Sequence, residues 1–87
     1  MKVKVIKKRK EEDVKIYTDS IRLDAFLKFA NLVETGGEAK LLIQDGAVKV
    51  NNNSCIQRGK KLYQGDIVEI EKKRFCVVKA EESDFLS

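Results

Sequence analysis

The hydropathy pattern changes period at Gly46, and that switch limits the chain to a mixed fold. Upstream, Leu23, Phe26, Leu27 and Ala30 recur at i, i+3, i+4 and i+7, which is one face of an α-helix. Asp19 or Ser20 is the expected N-cap of that helix. In "ETGGEAKLLIQDG", Thr35 and Glu38 have capping-box spacing: the Thr35 hydroxyl accepts from the Glu38 amide while Glu38 reaches back to the Thr35 amide. Ala39, Leu42 and Ile43 form the apolar face of this second helix, and Gly46 supplies its left-handed stop. Neither helix is long enough to be stable alone, so the two must pack together. Beyond Gly46 the period is two, with Val48 and Val50 pointing one way and Lys49 the other.

The rest of the chain reads as short strands and turns. Val3 and Val5, then Val14 and Ile16, mark two half-exposed strands with "KKRKEED" as a charged loop between them. "NNNS" turns the chain, since Asn tolerates positive φ. "CIQR" is a short strand and "YQGD" a further turn. "IVEIE" and "RFCVVK" are strands flanking a tight turn at Lys72–Lys73, and "EESDFLS" is a frayed acidic tail. Two short packed helices, a small mostly antiparallel sheet and N-terminal strands joining it make an α+β fold. The expected organisation is a single domain over 1–87, with charged N-terminal strands and loop at 1–16, a core at about 17–78 and an acidic tail at 80–87.

At 87 residues there is room for one modest core. A chain of this size buries roughly 60–65% of its unfolded surface. Histidine is absent, which removes the commonest general base and metal ligand. Cys55 and Cys76 both lie in apolar runs and are read as buried, reduced thiols of a cytoplasmic protein. No second cysteine pair completes a zinc site. No apolar run approaches the ~18 residues of a membrane span. Asp24 and Glu38 have no partner base, nucleophile or metal set to make them catalytic. The expectation is a non-enzymatic protein with no cofactor, no metal, no small-molecule substrate and no membrane partner.

Charge is the sharpest functional signal. The net charge of +4 is spread unevenly. Residues 1–20 carry +3, and residues 47–61 carry Lys49, Arg58, Lys60 and Lys61 with no acid at all. Arg58, Lys60 and Lys61 precede the strand "IVEI" at close spacing, where like charges repel by a few tenths of a kcal/mol. One reading is an ordinary solvated loop. The other is a phosphate cradle in which Arg supplies a planar fork, Lys a mobile point charge and Gly59 room for close approach. Lys28 follows Asp24 by four residues and reads as its salt-bridge partner. Arg22 sits in a first helical turn, where the dipole disfavours a cation. It either bonds Asp19 or Asp24, or contacts phosphate. Lys40 lies away from the apolar face of its helix and is exposed. Thr35, Gly36 and Gly37 leave helix amides open to an anion unless Glu38 fills the place. Tyr63 either stacks on a base beside the basic cluster or packs at the sheet rim. Phe26, Phe29 and Phe75 read as core.

These residues together resemble a known pattern. "RLDAFLKFANLVETGGEAKLLIQDGAVKVNN" resembles the S-four-type RNA-binding domain, or αL motif, through Arg22, Leu23, Asp24, Leu27, Ala39, Ile43, Gly46, Val48, Val50 and Asn51. "RGKKLYQGDIVEI" is similar to the ending of the short stand-alone members, often called YaaA-like or YbcJ-like. The resemblance spans about Tyr17 to Val78. Thr35–Gly36 stands where many members have Ser-Arg, so one phosphate-contacting arginine is missing and the load shifts to Arg58, Lys60 and Lys61. Asn52 replaces the Gly of the Val-Asn-Gly turn. The resemblance implies binding of structured RNA, with ribosomal RNA or a ribosomal particle the foremost candidate, through Arg22, Lys40, Arg58, Lys60 and Lys61. Thr35, Gly36, Gly37, Lys49 and Tyr63 are further candidates. The competing reading is a protein-interaction adaptor that uses the same scaffold without RNA.

Overall fold

The computed structural model describes residues 11–81. The element order is β1 (Glu11–Ile16), β2 (Ile21–Arg22), α1 (Leu23–Phe29), α2 (Gly36–Gln44), β3 (Val48–Val50), β4 (Asn53–Ser54), β5 (Lys61–Leu62), β6 (Ile67–Ile70) and β7 (Lys73–Lys79). A five-stranded sheet has the order β1-β7-β6-β3-β4, and β2 pairs with β5 in a separate two-stranded ribbon. Every pairing is antiparallel except β1 with β7, which is parallel. The α+β reading stands. The expected strand at Val3 and Val5 and residues 82–87 of the tail lie outside the described residues.

The helix pair forms as the apolar spacing requires. Leu23, Phe26 and Leu27 on α1 and Ala39 and Ile43 on α2 are fully buried, in one core with Val48, Val68 and Val77 of the sheet. Ala30 and Leu42 are half-buried at the margin of this core. Phe29 departs from expectation: it is 48% exposed, because it lies off the stripe made by its neighbours. Phe26 and Phe75 are core as expected.

Both helices end in the same way. At α2, the Gly46 amide donates to Ile43 and the Ala47 amide to Leu42, with Gly46 at φ +78°. This Schellman closure satisfies carbonyls that the helix leaves open. At α1, Asn31 takes the left-handed position at φ 60°, its amide donating to Lys28 and that of Leu32 to Leu27.

Several boundaries differ from the sequence reading. Glu11, Glu12 and Asp13 are not loop but the start of β1, paired with Arg74, Phe75 and Cys76 of β7. "CIQR" is not a strand. The pairing falls earlier, at Asn53–Ser54, because Asn51 and Asn52 both adopt positive φ and make a two-residue hairpin turn. The β6–β7 turn is Glu71–Lys72, one residue before the expected place, again with both residues at positive φ. Ala80 belongs to the fold rather than the tail: it is buried and its amide donates to the Ile16 carbonyl at 2.8 Å. Cys55 and Cys76 are free thiols, half-buried rather than buried. Burial, then the nearby carboxylates of Asp13, Glu11 and Asp66, push the Cys76 thiol above its ordinary pKa.

The solvent face of the sheet carries a cross-strand row of alternating charge. Glu11 lies opposite Arg74, Arg74 opposite Glu69, and Glu69 opposite Lys49. Opposite charges facing each other across strands are favourable by a few tenths of a kcal/mol per pair.

Candidate nucleic-acid interface

The first helix has no side-chain cap. Its N-cap is Arg22, neither Asp19 nor Ser20. Asp19 is drawn away to Lys79, whose ammonium lies 2.6 Å from its carboxylate. That hydrogen bond and the charge behind it hold the Asp19 carboxyl below its usual pKa. Ser20 contributes its backbone carbonyl, which accepts from the Thr18 hydroxyl.

Backbone from the basic segment does the capping instead. The Leu23 amide donates to the carbonyl of Lys60 at 2.8 Å, and the Asp24 amide to that of Arg58 at 3.1 Å. The β2–β5 ribbon continues this contact, with Arg22 opposite Lys61 and Ile21 opposite Leu62. Leu62 is fully buried and anchors the segment in the core. Carbonyl oxygens thus meet the positive end of α1, while the side chains of Arg58, Lys60 and Lys61 remain exposed. None of the three forms an ion pair with another described residue.

Arg22 settles on one of its two expected partners. Its Nε and Nη2 bond Asp24 Oδ1 and Oδ2, each at 3.1 Å, in a bidentate pair. Asp24 Oδ1 also accepts from the Ala25 amide at 2.8 Å, which suits a carboxylate at a helix start. Asp24 is therefore the partner of Arg22 and not of Lys28. The Arg22 guanidinium lies over Gly59, where an added methyl group would sit 3.5 Å from Nη2. Arg22 therefore lies beside the basic segment, over Gly59 and opposite Lys61.

Asp66, the first acid after the basic segment, does not neutralise it. Its Oδ2 accepts from the Tyr63 amide at 2.8 Å and its Oδ1 from the Asn51 side-chain amide at 3.1 Å. Asn51 Oδ1 in turn accepts from the Ile67 amide at 2.9 Å. This polar clip fastens the β3–β4 turn to the Tyr63–Asp66 turn. Tyr63 is 52% exposed, so it is partly covered, as the reading at the sheet rim expects, and the rest of its ring is open to solvent. Sequence reasoning does not find the clip. Its one signal there is Asn51, whose φ of 51° and doubly used amide both suit Asn.

The remaining candidates lie elsewhere. Lys40 is exposed on α2 and pairs with no described residue of the basic segment. The Thr35 hydroxyl accepts from the Glu38 amide at 3.1 Å, as the capping box requires. Glu38 Oε1 accepts from the amide of Glu34, not from that of Thr35, at 2.7 Å. Gly36 and Gly37 begin α2 beside this exposed carboxylate. Lys49 belongs to the charged row on the solvent face of the sheet, opposite Glu69. Among the described residues no group of side chains is placed to hold a metal ion, and no helix is long and apolar enough to cross a membrane.

A helix pair held against a β-ribbon and sheet in this order defines a recognisable class. The S4 domain family model matches residues 14–78, and the chain belongs to that family. It is 45% identical over 58 residues to a Bacillus subtilis (strain 168) protein named "Probable ribosome maturation protein RlbA", covering 67% of this chain and 82% of the relative. It is also 42% identical over 52 residues to a tyrosine–tRNA ligase of Nitratidesulfovibrio vulgaris, covering 59% of this chain but only 13% of that protein. The fold matches the crystal structure of 30S ribosomal protein S4e from Thermoplasma acidophilum with a TM-score of 0.51 and 20% identity, over 66% of this chain and 30% of that one.

Proposed function

We propose that this protein binds structured RNA without catalysing a reaction on it, and that the RNA is ribosomal RNA or a ribosomal particle. One observation carries the reading. Arg58, Lys60 and Lys61 stand on a segment whose own carbonyls are bonded to α1, so their charges are held in place while their side chains face solvent without an acidic partner among the described residues. A fixed cluster of this kind suits a phosphate backbone, where Arg and Lys displace bound counterions. RNA helices hide their base edges in a deep narrow groove, so this cluster reads backbone spacing and shape. Membership of the S4 domain family and the similarity to a protein named for ribosome maturation support the ribosomal assignment.

In this reading Arg58, Lys60 and Lys61 contact phosphate directly. Arg22 offers the outer edge of its guanidinium while Asp24 holds the inner edge. Lys40, with Thr35, Gly36 and Gly37 at the start of α2, supplies a secondary contact, as do Lys49 and Tyr63. The chain acts as one domain in the cytoplasm.

The test is binding to a structured ribosomal RNA fragment over a range of salt. Affinity should fall linearly on a log–log plot. Arg58→Ala/Lys60→Ala/Lys61→Ala should flatten the slope by about one unit for each phosphate that is no longer neutralised, while the protein stays folded. A salt-independent response would favour the adaptor reading.

A further inference from the structure

The basic cluster borders a groove that nothing above uses. The groove has a volume of about 390 Å³ and runs between the β3–β4 turn and the segment that leads into the cluster. That is the size of a site for a small organic group. Asn53, Ser54 and Gln57 line it with polar side chains, Val50, Cys55 and Ile56 with apolar ones, and Lys60 stands at its edge. Asn51 completes the lining but its amide is committed to the clip with Asp66 and Ile67. Among the described residues, no carboxylate lines the groove.

We propose that this groove holds one unstacked nucleotide of the bound RNA, from a bulge or loop beside the stem gripped by the basic cluster. The inference rests on the RNA-binding reading and adds what the RNA must contain. The Asn53 amide nitrogen donates to the Asn51 carbonyl at 3.4 Å and the Ser54 hydroxyl to the Gly46 carbonyl at 3.3 Å, so it is the Gln57 side-chain amide that presents a donor and an acceptor together, as an unpaired base edge requires. The Gln57 side chain bonds no other described residue, so its amide is available to a guest. Ile56 is 66% exposed beside it, an apolar surface suited to a base face. Lys60 lines the groove and belongs to the cluster, so the phosphate of the docked nucleotide continues the backbone that Arg58 and Lys61 hold. With Lys60 and no acid among the described lining residues, the groove disfavours a cationic guest and is compatible with a phosphate at its rim.

The probes are a fully paired RNA hairpin and four hairpins that differ from it only by a single bulged A, C, G or U. At least one bulged hairpin should bind about tenfold tighter than the paired one, in line with the discrimination that a bidentate base contact gives. It should also slow alkylation of Cys55, which lines the groove, and leave that of Cys76, on β7, unchanged. Ile56→Ser/Gln57→Ala alters two exposed side chains. It should abolish the preference for the bulge while keeping the affinity for the paired hairpin and its salt slope. Equal binding of all five hairpins, with Cys55 alkylated at its free rate, would overturn the groove and leave RNA binding standing. Binding to none of them would overturn both.

Discussion

The two helices of this protein begin in opposite ways. The start of α2 is local: Thr35 caps an amide three residues away and Glu38 reaches back to the amide of Glu34. The start of α1 is remote, closed by the carbonyls of Arg58 and Lys60 from the far side of the β3–β4 hairpin. The difference separates two jobs. A local cap stabilises one helix. A remote cap made of backbone stabilises the helix and at the same time fixes the segment that supplies it. Because the cap uses carbonyls, the side chains of that segment are left for a ligand.

This comparison can be tested from its shared foundation outward. Leu27 of α1 is fully buried in the common core, and Leu27→Ala should cost roughly 2–5 kcal/mol in chemical denaturation. A midpoint that does not move would show that the helix pair does not share a core. Deleting Gly59 comes next. It pulls the two capping carbonyls out of register and should cost about 2 kcal/mol, since two backbone bonds at a helix end break together. Gly59→Ala should be nearly neutral, because its methyl group meets Arg22 at ordinary van der Waals distance. Equal stability of the deletion and the alanine variant would mean that the remote cap contributes nothing. Thr35→Ala should cost about 1 kcal/mol, the usual worth of a side-chain cap, with RNA affinity little changed.

The smallest effect concerns Asp19, three residues before the α1 cap. Asp19→Asn should disturb stability less than Thr35→Ala, since its carboxylate serves Lys79 and not the helix. With its folded pKa lowered, the contribution is present above the unfolded pKa and is lost as pH falls through the folded one. Carboxyl titration by NMR should place Asp19 below the ordinary carboxylate range, and Lys79→Ala should bring it back up. A titration midpoint indifferent to Lys79 would leave Asp19 available as the cap after all.

The same contrast explains what can be read from the chain. The α1 stripe, the Thr35 cap, the Gly46 stop and the alternation after it all lie within a few residues of their causes, and all are legible. The start of α1 is not, because its cap lies more than thirty residues away and uses groups that every residue possesses. Asp19 and Ser20 have the right chemistry and lose to a partner on β7 and to a local turn. The extension of β1 through three acids is hidden for a similar reason. Glu11 gains Arg74 only once β7 lies beside it. For the candidate interface, the gap in acids around Arg58, Lys60 and Lys61 is visible in the sequence. The groove beside them is not, since Asn53, Ser54, Ile56 and Gln57 become a lining only when the β3–β4 hairpin closes.

The parallel pairing of β1 with β7 also sets an order in time. Bringing the two strands together closes a loop of most of the chain, and such long-range pairing is slow to form. On the inner side β1 is held by little more than Ile16 and the half-buried Val14. Its amides should therefore exchange with solvent hydrogen before those of β6, by an opening that leaves the helix pair intact. During synthesis the helices and the β3–β4 hairpin emerge long before Lys73–Lys79. Of the described strands, β1 is thus made first, yet its place in the sheet exists only once β7 has been made.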